Sequence, residues 1–125
     1  MSRVRDESGA ATAELAMALP LLVAVTVGLV WLLAVGAAQI RVVDAAREAA
    51  RAAARGDSEG DAVARALQVA PEGSRVSVAV TGDRVRASAA GRVPGPGGLF
   101  GFLPEVTVHA ESVAAVEGTA VPGGP

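Results

Sequence analysis

The sequence predicts an α+β protein in which a long N-terminal transmembrane helix continues into an amphipathic helix and then a small domain with a short helix and a three-stranded antiparallel sheet. Three observations carry this expectation. No charge interrupts the 26 residues between Glu14 and Arg41. The stretch that follows is built of Ala, Val, Arg and acids, nearly all good helix formers. Two later segments alternate apolar and polar residues with the period of a strand.

As a helix, the charge-free run spans about 39 Å at about 1.5 Å per residue, enough to cross a hydrocarbon core of about 30 Å. A cleavable secretory signal has an apolar region of only about 7 to 15 residues before a small-residue cut site. Ala34-Val35-Gly36 has the look of such a site, but the length of the run favours a membrane span over residues 10–40.

Residues 41–56 extend that helix. At roughly 100° per residue, Arg41, Asp44, Arg47, Glu48, Arg51 and Arg55 fall within an arc of about 120°, with i,i+3 pairs such as Asp44 and Arg47. Val42, Val43, Ala46, Ala50 and Ala53 form the opposite, apolar side. Gly56 is placed to end the helix.

A domain over residues 57–117 follows. Asp57 or Ser58 can cap a second helix, Glu59–Val69, with Val63, Leu67 and Ala70 along one side and Pro71 as its stop. Val76, Val78 and Val80 alternate across Arg75–Thr81, and Gly82-Asp83 supplies a two-residue hairpin turn. In that register Val80 faces Val85, Val78 faces Ala87 and Val76 faces Ala89. Gly91 to Pro104 reads as a loop around Leu99, Phe100, Phe102 and Leu103. Those four residues either form a partner-binding or membrane-dipping tip, or plug the end of a thin core. Glu105 to Glu117 alternates again and completes the sheet, and residues 118–125 read as a flexible tail.

Composition narrows the function. With 125 residues there is room for one small domain and one span, and the aromatic content is confined to Trp31, Phe100 and Phe102. The net charge is -2 and every basic residue is Arg, without the basic-aromatic clustering that tracks a nucleic-acid backbone. There is no cysteine, which excludes disulfides and thiolate metal sites. His109 is the single histidine and reads as a surface residue; no metal or other cofactor is expected. The Gly-rich run 91–98 lacks the Gly-Lys-Ser/Thr and helix context of a phosphate loop. Ser112 has no base in a recognisable arrangement, so no catalytic residue is expected and the chain is not read as an enzyme.

The most informative segment is Gly9-Ala-Ala-Thr-Ala-Glu14-Leu-Ala-Met-Ala-Leu-Pro20-Leu-Leu, after the short charged stretch MSRVRDES. It resembles the N-terminus of type IV pilin-like proteins, and more closely the TadE-like family of the tight-adherence (Tad, or Flp) pilus system. AAREAARAAARG is similar to the helix that follows the membrane segment in many members, and Val106-Thr-Val-His-Ala-Glu-Ser-Val113 to their last strand. Leu15 departs from the pattern, standing where members often carry an aromatic.

The resemblance implies that residues 1–9 are a leader, removed by a prepilin peptidase between Gly9 and Ala10. It implies further that Glu14 sets assembly register by neutralising the new amine of an adjacent subunit. Gly suits an unhindered scissile bond, and a carboxylate at the edge of an apolar helix needs a partner. Pro20 removes one helical hydrogen bond and is expected to kink or loosen the first turns. Ala24 and Gly28 form a small-xxx-small pair that would let another helix approach.

The implied partners are the membrane, the peptidase, other pilins or pseudopilins and the assembly platform. The implied location is the cytoplasmic membrane, single-pass, N-terminus in, with later entry into a pilus. Counting arginines alone (Arg3 and Arg5 before the span; Arg41, Arg47, Arg51 and Arg55 after it) points to the opposite orientation. The function so implied is that of a minor pilin or pseudopilin. The rival is a signal-anchored envelope protein whose small domain binds a partner.

Overall fold

A computed structural model of the chain describes residues 2–117. Met1, the expected tail 118–125 and the side chains of residues 2–4 and Leu99 lie outside the described residues. Helix α1 runs from Ser2 to Ala54, a single rod of 53 residues or about 80 Å. It is followed by α2 (Glu59–Val69), β1 (Arg75–Thr81), β2 (Arg84–Val93) and β3 (Val106–Ala115). The strands form an antiparallel sheet in the order β1-β2-β3. The α+β layout expected from the sequence is the one observed.

Local chemistry explains the element ends. α1 closes on a Schellman motif: the Gly56 N–H donates to the Ala53 carbonyl and the Asp57 N–H to the Ala52 carbonyl, both at 3.1 Å. Gly56 has φ +103°, which costs a residue without a side chain little. Of the two candidate caps, Ser58 does the work, its Oγ accepting from the Asp61 N–H at 3.1 Å. Asp57 instead faces Arg55 and Arg65 at 3.8 and 3.4 Å, bridging the end of α1 to α2.

The hairpin register is the expected one, with Val80, Val78 and Val76 opposite Val85, Ala87 and Ala89. Gly82 has φ +63° while Asp83 stays at negative φ, the pattern of a turn with glycine first. β2 runs further than expected, through Gly91-Arg92-Val93, because these residues pair with Val108, Thr107 and Val106 of β3. The loop is correspondingly shorter and contains one 3-10 turn, Gly98–Phe100.

The core lies between the C-terminal part of α1, α2 and the inner face of the sheet, and every buried residue in it is Ala or Val. Val42 and Val85 are its largest fully buried side chains. A core of this kind gains little per side chain and depends on close backbone approach. At Gly91 a Cβ would stand 2.9 Å from Ser74 Oγ and 3.4 Å from Val42 Cγ1, so β2 and α1 meet where there is no side chain to separate them.

The buried part of α1 is wider than the sequence suggested. Ala45, Ala49, Ala52 and Ala54 are buried along with Val42, Ala46, Ala50 and Ala53, while Val43 is half-buried. The six charged residues keep to their arc, and α2 and the sheet together cover the remainder. Asp44 and Arg47 do not close the anticipated ion pair among the described residues. Along α2 and its C-cap the buried line is Ala62, Ala66 and, as expected, Ala70, whereas Val63 is half-buried and Leu67 is 44% exposed. Small residues at i, i+4 and i+8 let α2 settle close to the Ala-rich surface of α1; Val and Leu there would hold the two helices apart.

Candidate assembly helix and the apolar loop beside it

Gly9, Ala10 and Glu14 all lie on α1 and are exposed. Ala10 and Glu14 are one turn apart and share a face. The Gly9–Ala10 bond is helical, and Thr12 Oγ1 donates across it to the Ser8 carbonyl at 2.9 Å. Glu14 has no ion-pair partner among the described residues. It is the single charge between Glu7 and Arg41. At Pro20 the helix continues without interruption, although the ring leaves the Ala16 carbonyl without its helical donor.

From Leu15 to Leu33 the large apolar side chains of α1 point outward, Leu33 being 73% exposed. The exceptions form a stripe at spacings of three and four: Ala24, Gly28, Trp31, Val35, Ala38 and Val42 are half-buried or buried. The upper part of this stripe meets the head, where Gln39 Nε2 donates to the His109 carbonyl at 3.1 Å. Its lower part meets the loop. Trp31 Nε1 donates to the Pro94 carbonyl at 2.9 Å. The Phe100 ring lies 3.8 Å from the place a Cβ on Gly28 would take. The small pair Ala24 and Gly28, expected to receive another helix, therefore faces Phe100 and Pro96–Gly98 of its own chain across a shallow apolar groove.

The loop does not plug the core. Phe100, Phe102 and Leu103 are absent from the buried cluster, Phe102 is 78% exposed, and its ring sits 6.5 Å from that of Phe100. Leu99 belongs to the 3-10 turn by its backbone. Sequence reading did not find the Trp31–Pro94 bond. The available signal was a charge-free segment, Val93 to Pro104, bracketed by Arg92 and Glu105 and matching the charge-free run of the span in polarity. Those bracketing residues approach each other at 3.7 Å. His109 is exposed on the outer face of β3, as expected.

α1 is the one helix among the described residues long and apolar enough to cross a membrane, and with the small sheet domain at one end it defines a class: a membrane-associated protein with an α+β head. The family model for TadE-like protein matches residues 9–51, that is, α1 from the Gly9 motif to just short of its C-terminal cap. Over that segment the chain is similar to TadE-like proteins; the head lies outside the match. No curated protein and no solved structure matches the chain.

Proposed function

We propose that this protein is a minor pilin or pseudopilin of a Tad-type pilus, without a catalytic step of its own. In this reading it is held in the cytoplasmic membrane by α1, with its N-terminus in the cytoplasm and its head outside. A prepilin peptidase cuts it after Gly9, and α1 then enters a filament or its assembly complex among other pilins. The observation that carries this reading is the placement of Glu14. It stands alone in an apolar helix one turn from Ala10, inside the segment that matches the TadE-like family.

The chemistry is consistent in each step. Gly9 is the weakest helical residue of the first turns, costing about 1 kcal/mol relative to Ala, so a peptidase that needs an extended bond unwinds the rod most cheaply there. Cleavage turns Ala10 into a helix N-terminus with a free amine, and a carboxylate near a helix N-terminus is favourable. In a bundle of such helices, the Glu14 of one subunit can meet the amine of the next only at one axial offset. A desolvated charge left unpaired costs enough to forbid the other offsets.

N-terminal sequencing of the membrane fraction from cells with an active prepilin peptidase tests the reading. Ala10 as the first residue is the expected result. A chain still beginning at Met1 or Ser2 would favour the rival, a signal-anchored protein whose head binds an envelope partner.

A further inference from the structure

We infer that the loop Pro94–Pro104 is a second membrane contact, a short wedge that enters the lipid beside α1 in the leaflet on the head's side. The inference rests on α1 being the membrane anchor, and it follows from where the loop sits along that helix.

The level of the lipid is constrained from both ends. Above, Ala38 is buried in the head and Gln39 is hydrogen-bonded to it, so on that side of the helix this end of the charge-free run meets protein, while Ile40 stays 64% exposed. Below, Leu32 and Leu33 are well exposed and require an apolar surrounding. Hydrocarbon reaching from Leu15 to about Ala34 covers about 30 Å of helix, the thickness of a bilayer core. Trp31 then falls near the boundary, the depth at which an indole is favoured. The loop passes this boundary. Its contacts at Gly28, Val27 and Ala24 lie roughly 8 to 15 Å further along the axis, at about 1.5 Å per residue.

The loop is built for that place. Charge stops at Arg92 and Glu105, which pair across its mouth, and nothing between them is ionisable. Irregular backbone is tolerated at membrane depth only where its polar groups are satisfied or shielded by protein. Three prolines remove donors, and the N–H groups of Phe100, Gly101 and Leu103 donate to the carbonyls of Gly97, Gly98 and Phe100, which satisfies part of the loop's backbone. The Pro94 carbonyl is taken by Trp31. Phe102 has little protein cover, as suits a side chain that meets acyl chains.

The chain's lack of cysteine allows a direct test on the full-length protein. Phe102→Cys, Leu22→Cys and Thr81→Cys carry an environment-sensitive fluorophore in vesicles of phosphatidylethanolamine and phosphatidylglycerol. Each is quenched in turn by nitroxide-labelled lipid and by aqueous iodide. The expected result is that the probe at 102 follows the one at 22, quenched by lipid and several-fold less by iodide than the probe at 81. In the unmodified chain, Trp31 should be quenched more by shallow than by mid-bilayer brominated lipid.

A probe at 102 open to iodide, with the probe at 22 in lipid, overturns the wedge and leaves the anchor standing. Both probes open to iodide overturns the anchor as well. A probe at 102 shielded from both quenchers means that protein, such as a second copy, covers the loop, and the lipid contact is again overturned.

Discussion

Trp31 and Pro94, 63 residues apart in sequence, are joined by a hydrogen bond of 2.9 Å from the indole Nε1 to the carbonyl oxygen. The bond ties the only aromatic side chain of α1 to the first residue of the apolar loop, and so sets how far that loop extends along the helix. Trp31→Phe keeps most of the apolar contact and removes the donor. The loss should be about 1 kcal/mol, or about five-fold in loop opening. Hydrogen exchange at the amides of Phe100, Gly101 and Leu103 should quicken by that factor, while exchange in β2 stays unchanged.

Gly91 is the point where β2 presses on α1. Gly91→Ala puts a methyl 2.9 Å from Ser74 Oγ and should destabilise the head by about 1 to 3 kcal/mol in denaturant unfolding. Combining it with Ser74→Ala removes the nearest obstructing atom and should recover part of the loss. Strict additivity of the two changes would mean that the close approach is not the cause.

At the end of α1, Gly56→Ala forces a Cβ into a φ of +103°. The expected cost is about 1 to 2 kcal/mol, seen as a lower unfolding midpoint of the head. Gly60→Ala, at a helical glycine with open space around it, should move the midpoint upward by about 0.5 to 1 kcal/mol.

Glu14→Leu should leave membrane insertion and cleavage after Gly9 intact and abolish incorporation into filaments. Sheared pilus fractions compared with membrane fractions by immunoblot provide the measurement. Normal incorporation of the variant would remove the register role from Glu14.

Much of the architecture could be read from the chain because its signals are local. The Gly82-Asp83 turn and the valine alternation set the β1–β2 register through dihedral preference and the two-residue side-chain period. Ser58 and Gly56 end their helices through bonds to backbone three to five residues away. The charge-free run and the Gly9 to Glu14 spacing are likewise complete within one segment, and α1 carries both.

What remained hidden depended on partners distant in sequence. Alanine suits a buried or an exposed position almost equally, so hydrophobicity pointed to Val63, Leu67 and Ala70, of which Ala70 is buried, while close packing against α1 selected Ala62 and Ala66 in place of the other two. The same indifference concealed how much of the 45–54 segment is enclosed. Composition marked residues 91–104 as a loop with two open uses, and only the packed structure gave 91–93 to β2 and laid the rest along α1 at Trp31 and Gly28. Short-range chemistry determined the elements and their ends; the mutual approach of small-residue surfaces, which no local pattern encodes, decided which faces meet.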